Sequence, residues 1–406
     1  MKTVAKIIAI VLALQLMVSS AIAAGPAFSG MTANADTAET VATNPAGMMR
    51  LDRPSFYANP MVIYTDSETE ITAGNSGQSQ TVSNDSWFAM PGIYYARPVG
   101  DRWAIGIGPN AATGLGASYG DNWAGRYLVK DWSLAFVGVA PAVAYRVNDK
   151  LSLGASVPIM YSRYNLEKAV FNLDPNASDG SFEITADGWG VGGTIGLLYE
   201  ISEHTRFGLV YRSKVSVTEE GDPEFSGLTE ERRALLEEFG ALNRHISFDT
   251  STPQVVTAGV YHDFQNGWDL SLDGVWVDFS DWGLENVEIG DQNVSTRPGN
   301  YQDIWGGSIG VSYELGPKWT ARSGVFYVSS AIEEEDRTAF MRLDEMWGAG
   351  LGIEYKFSEH RNVAFDLTYI QFGDGEFSVQ DAPVVGDIEG EYTTNYALVF
   401  GIASRW

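Results

Sequence analysis

From residue 54 onward the chain alternates apolar and polar side chains. In Asn362-Val363-Ala364-Phe365-Asp366-Leu367-Thr368-Tyr369 the odd positions are large and apolar and the even ones small or polar. Trp268-Asp269-Leu270-Ser271-Leu272-Asp273 repeats the pattern with Asp on the polar face. A period of two predicts β-strands with one face against something apolar and the other wet. A Tyr stands shortly before a tight polar turn six times, at Tyr95, Tyr145, Tyr199, Tyr261, Tyr313 and Tyr355. Trp103, Trp268 and Trp319 follow three of these turns. Longer acidic or Gly/Asn-rich stretches fall near 68–84, 114–131, 169–180, 221–245, 280–300, 332–340 and 375–388. Six short turns and seven long loops join fourteen strands, with all short turns on one side. That layout predicts an all-β fold, a fourteen-stranded antiparallel transmembrane β-barrel with the Tyr and Trp residues as an interfacial girdle.

The two ends carry separate signals. Lys2 and Lys6 precede the apolar run Ile7 to Val18, and small residues up to Ala23 follow. This predicts a secretory signal peptide over 1–23. At the other end Tyr396, Leu398, Phe400 and Ile402 alternate with small residues, and the sequence stops on Trp406. An aromatic last residue on a final strand suits recognition by a barrel-assembly machinery. If the large residues face lipid, Gly188, Gly190, Gly192, Gly348, Gly350, Gly352, Ser308, Gly310 and Ser312 face inward and leave room for something in the lumen.

Composition narrows the class. The formal net charge is −26, becoming −28 without Lys2 and Lys6. That balance argues against nucleic acid as a partner. The absence of Cys excludes disulfide scaffolds and thiol chemistry and suits an oxidising compartment. Mean hydropathy is −0.10, and no second apolar run of spanning length exists, which excludes a polytopic helical membrane protein. A secreted propeller or β-sandwich is the soluble alternative, but each repeat here carries two long strands rather than four short ones. His204, His245, His262 and His360 lie in no hydrolase or metalloprotease motif, so neither an enzyme nor a metal or other cofactor is expected.

The stretch GPAFSGMTANADTAETVATNPAGMMRLDRPSFYANP, with Asn44-Pro45-Ala46 shortly before the first strand, resembles the start of the FadL-type transporters of the bacterial outer membrane. TGLGASYGDNWAGRYLVKDW, PAVAYRVNDKLSLG and WDLSLDGVWVDFSDW extend the resemblance over most of the mature chain. It implies a hatch plugging the lumen over 24–53, a barrel over 54–406, and passive uptake of long-chain fatty acids or related lipophilic compounds. It also implies a wall opening at a kink in the third strand, here Gly108-Pro109, with Asn44, Pro45 and Ala46 packed near it. The segment upstream of Asn44 is shorter than in the best-known members.

Two ligand positions follow from pattern. Leu228, Leu235, Leu236, Phe239 and Leu242 recur at helical spacing, with Thr229 as N-cap and Glu230 and Glu231 in the first turn. This predicts a loop helix offering Leu235, Leu236 and Phe239 as a capture groove, or packing its apolar stripe on neighbouring loops. Arg212, Lys214 and Arg322, with Arg206 and Arg342, have inward parity and could pair with a fatty-acid carboxylate or with structural Asp and Glu. The expected protein is a monomer in the Gram-negative outer membrane, surrounded by lipid and lipopolysaccharide, with a hydrophobic small molecule as substrate. A water-filled porin and a surface adhesin or receptor are the alternatives.

Overall fold

The computed structural model describes residues 29–406 apart from 74–77, 175, 243, 281, 291, 295–299, 341–343 and 383. The signal segment 1–23 and Arg342 lie outside the described residues. Fourteen strands form one antiparallel ring. They are β1 (Ser55–Ala58 and Met61–Ala73), β2 (Gln78–Met90 and Ile93–Val99), β3 (Trp103–Ser118), β4 (Asp131–Arg146), β5 (Leu151–Ser156 and Ile159–Val170), β6 (Gly180–Val191 and Thr194–Glu200) and β7 (Thr205–Arg212 and Val215–Gly221). The second half comprises β8 (Ile246–Thr252 and Val255–Asp263), β9 (Trp268–Val277), β10 (Ile304–Glu314), β11 (Trp319–Val328), β12 (Met346–Ser358), β13 (Arg361–Gln371) and β14 (Gly386–Arg405). Each strand pairs with its sequence neighbours, and β14 closes the ring on β1 through Tyr57↔Arg405 and Met61↔Gly401. Trp406 completes the closure by exchanging backbone hydrogen bonds with Phe56 at 2.9 and 3.0 Å.

Several strands break near mid-height, at Pro60, Pro91, Pro158 and Pro253 among others. Proline supplies no ladder N–H, so the chain bends at these points. On the outside the predicted alternation holds. Trp189, Leu351 and Trp305 are 68%, 70% and 63% exposed, as a lipid-facing band requires. The girdle has a specific construction. A Trp after one short turn lies beside the Tyr before the next: Trp103 with Tyr145, Trp268 with Tyr313 and Trp319 with Tyr355, at ring separations of 4.7, 4.5 and 4.7 Å. These are directly opposed cross-strand pairs, so ring packing and barrel register support each other.

The lumen is filled from both ends. Residues 29–53 occupy the half nearer the short turns. The half nearer the long loops holds an apolar cluster that includes Phe88, Phe136, Met160, Tyr164, Phe248 and Ile370 from the wall. Loop residues Tyr119, Trp123 and Val129 fold down into it. Trp123 is fully buried and donates its indole N–H to the Val129 carbonyl at 2.6 Å. Tyr119 donates to the Ala339 carbonyl at 2.9 Å, tying two outer loops together over the lumen.

Candidate functional site

The plug is built around Asn44-Pro45-Ala46. After a short helix α1 (Thr40–Thr43), Asn44 turns extended and Pro45 opens a 3₁₀ helix over Pro45–Arg50. Asn44 caps that helix by accepting from the Ala46 N–H at 3.2 Å, and Pro45 sits where no helical N–H is needed. The Asn44 amide nitrogen donates to the Thr32 carbonyl at 2.8 Å and to the Leu197 carbonyl of β6 at 3.0 Å. The side chain is fully buried, and no other residue type supplies this acceptor and these two donors in so little space.

Glycines on the wall receive this segment. An added methyl at Gly154 would strike the backbone of Pro45 and Ala46; at Gly196, the Asn44 side chain; at Gly208, the Thr32 carbonyl; at Gly310, Ser29; and at Gly106, Val41 and Met48. The motif therefore packs on β5, β6 and β7. Val41 and Met48 are the hatch side chains against the third strand. The inward glycines expected to admit the plug divide accordingly. Gly310 does touch it. Gly188 and Gly190 instead meet the backbone of Thr218 and Ser216, because the outer half of β7 leans across the inner face of β6. Gly348 meets the Phe326 ring.

Charge completes the attachment. Four wall arginines donate to hatch carbonyls. Arg146 reaches Met49, Arg206 reaches Ala33 at 3.1 Å, Arg212 reaches Ala42 at 3.0 Å and Thr43 at 2.7 Å, and Arg405 reaches Asp36 at 3.1 Å. The carboxylate of Asp273 on β9 accepts from the N–H groups of Gly30 at 2.7 Å and Thr32 at 3.0 Å. Short hatch helices leave N–H and C=O groups unpaired, and the wall supplies partners of the right sign.

The expected lumen cations are thereby accounted for. Arg212 holds the hatch. Arg322 makes a two-point pair with Asp366 at 2.9 and 2.7 Å, and Lys214 pairs with Glu285 at 3.4 Å. All three have partners within the protein. Arg206, expected to face the lumen, is an attachment residue, and so is Asp273, to which the sequence assigned no role although its inward parity was the available signal.

A polar cavity of about 270 Å³ separates the hatch from β8–β14, lined by Asp36, Glu39, Asp269, Arg322, Glu354 and Arg405 among others. Burial holds the Glu39 carboxyl well above the usual carboxylate range, opposed by a hydrogen bond from Asn59 and the nearby Arg322 charge. A carboxyl raised in the folded state keeps its proton where the unfolded chain has lost it. Its contribution is present at low pH and is lost as pH rises from about 4.5 through the folded value. Glu39→Gln is expected to flatten this loss. Thermal melting from about pH 5 to about pH 9 should show the variant gaining on the parent as pH rises.

Among the described residues, the wall ladder breaks off partway along the β2–β3 seam. The β2–β3 ladder runs from Val99↔Trp103 to Tyr95↔Ile107 and stops. Beyond it, residues 85–93 of β2 and 109–117 of β3 have no ladder between them among the described residues. Further out the gap is closed by Asn84, whose amide donates to the Ser118 carbonyl at 3.1 Å. Sequence accounts for the gap. Pro91-Gly92 interrupts β2, with the Gly92 carbonyl turned to the Asn59 N–H at 2.7 Å. Pro109 lies on the facing edge, and β3 bulges against β4 between Asn110 and Thr113. Gly108 and Pro109 themselves keep register with Ala140 and Val139, and the irregularity falls just beyond them. Immediately inside lies the apolar cluster, represented there by Phe88, Phe136 and Met160.

At the outer end, helix α2 (Glu230–Glu238) forms as predicted, with Thr229 accepting from the Arg232 N–H at 3.3 Å. No residue of α2 is buried; Leu235 and Leu236 are half-buried, and Phe239 is 75% exposed.

Residues 3–406 match the family model described as Outer membrane protein transport protein (OMPP1/FadL/TodX). The chain is 24% identical to the long-chain fatty acid transport protein of Escherichia coli O6:H1, over 93% of this chain and 92% of that one. The crystal structure of a Pseudomonas aeruginosa FadL homologue superposes with a TM-score of 0.79 at 18% identity, covering 93% of this chain and 96% of that one. The Pseudomonas putida toluene transporter TodX gives a TM-score of 0.65 at 19% identity, covering 91% and 94%. A fourteen-stranded ring with an apolar outer band, a lumen filled from its N-terminal end and a family match across nearly its whole length make this chain a member of the OMPP1/FadL/TodX family of outer-membrane transport proteins.

Proposed function

We propose that the protein carries hydrophobic small molecules, long-chain fatty acids or related lipophilic compounds, passively through the outer membrane, and that it is not an enzyme. Capture takes place at the loop helix around Leu235, Leu236 and Phe239. The ligand enters the apolar upper lumen, the hatch built on Asn44, Pro45 and Ala46 shifts, and exit is sideways through the gap beside Gly108 and Pro109. The observation that carries this reading is the half-paired β2–β3 seam, because it lies between the apolar residues of the upper lumen and the membrane interior. A polar solute would gain nothing from that route. An acyl chain gains about 0.8 kcal/mol for each CH₂ kept out of water. Arg212, Lys214 and Arg322 serve the hatch and the wall in this scheme rather than the ligand. The protein works as a monomer surrounded by lipid and lipopolysaccharide, with the strand ending at Trp406 as the part offered to the assembly machinery.

Purified protein in liposomes is expected to speed entry of a fatty acid or an aromatic hydrocarbon while planar bilayers stay without steady ionic current. Acceleration of neither compound would end the transport reading. A large steady current would replace it with a water-filled pore.

A further inference from the structure

The gap in the wall has an inner cover. Continuing the β2–β3 register one step past Tyr95↔Ile107 sets Tyr94 opposite Gly108. The Tyr94 ring lies across that glycine: a methyl at position 108 would sit 2.6 Å from the ring carbon Cδ1. Tyr94 is 4% exposed and lies 6.1 Å, ring to ring, from Tyr57 on β1. It belongs to the same buried cluster as Val41, Met48 and Met49 of the hatch. Otherwise that cluster is bordered by small wall residues, Ala96, Ala104, Ala142, Ala144, Ala364 and Ala403. Val41 and Met48 also press on Gly106, two residues before Gly108 on the same inward face.

We infer that Tyr94 is the specificity-setting shutter of the seam, held over Gly108 by the docked hatch and freed when the hatch withdraws. The inference rests on the transport reading above and deepens it. While Val41 and Met48 are in place, the ring has no free space to swing into. Once they leave, only alanines and Tyr57 border it, and the ring can turn off Gly108. The width then available beside the phenol sets the bulk that passes. A slim acyl chain is admitted more readily than one carrying fused rings.

The test uses the full protein in liposomes with two probes, decanoic acid and 10-(1-pyrene)decanoic acid. Tyr94→Ala is expected to raise the ratio of pyrene-probe flux to decanoic-acid flux by about tenfold, as removal of a steric barrier does, while Tyr94→Phe leaves it unchanged. Gly108→Ala should lower both fluxes when Tyr94 is present and have little effect in the Tyr94→Ala background, because the two residues act through one contact. Heat-modifiable migration on gels confirms that each variant has formed its barrel. Parent protein that carries either probe, with a flux ratio unmoved by Tyr94→Ala or a Gly108→Ala effect equal in both backgrounds, overturns the shutter and leaves transport standing. Parent protein that carries neither probe overturns the transport reading, and the shutter with it.

Discussion

Gly154→Val and Gly208→Val are each expected to turn a quiet barrel into a conducting one. At 154 the new side chain would occupy the space of the Pro45 and Ala46 backbone, and at 208 that of the Thr32 carbonyl. Backbone cannot rotate aside as a long side chain can, so the hatch must lift. Overpacking costs about 3 kcal/mol at such a site, which moves a docked-to-displaced balance by about a hundredfold. The ring should survive, because Gly154 and Gly208 join their ladders through backbone, the new side chains point into the lumen, and the girdle pairs lie elsewhere. Single-channel recording checks this: frequent or permanent openings in both variants, with normal heat-modifiable migration, are the expected result. Silent bilayers would mean that the hatch tolerates the intrusion and that the glycines are not its docking surface.

The second large effect is a reversible block. The chain has no cysteine, so a pair can be introduced against a clean background. Val41 on α1 lies directly over the point where Gly106 would carry a Cβ. Val41→Cys with Gly106→Cys therefore brings two thiols within the reach of a disulfide. Oxidation should hold the hatch against β3 and stop fatty-acid entry into liposomes; reduction should restore it. Gly106→Cys alone controls for crowding by Met48. Undiminished entry through the oxidised double variant would show that the ligand passes without hatch displacement. It would redirect attention to the polar cavity beside the plug.

Much of the barrel was legible because strand alternation is dictated locally. Val363, Phe365, Leu367 and Tyr369 face one way whatever the rest of the chain does, and the Tyr-before-turn repeat marks one rim. The loop helix was legible for the same reason, since Thr229 and the leucine spacing are local signals. The docking of the hatch was not. Gly188 and Gly348 have the same inward parity as Gly310, yet only Gly310 touches the plug. Which inward glycine meets what depends on strand stagger and on the lean of β7, and neither is written in any one strand. The partners of the arginines were hidden for a related reason. Inward parity placed Arg212 and Arg322 correctly, but a free cation and a paired one look alike until Asp366 and the carbonyls of Ala42 and Thr43 are brought beside them. Asp273 was visible as an acid on the wet face of β9, and its N–H partners lie some 240 residues away in the chain.

The bond between Trp406 and Phe56 also sets an order of events. The ring cannot close until β14 has arrived to pair with β1, so all fourteen strands must be delivered before the barrel exists as a container. The hatch lies upstream of every strand, and the finished ring is lined by folded loops above and turns below. It has to be gathered into an open, unfinished curl of strands, with β14 closing behind it. The glycine and arginine contacts of β4–β7 can then hold the plug before the ring closes. A variant that weakens those contacts would yield empty barrels during assembly, as well as leaky ones afterwards.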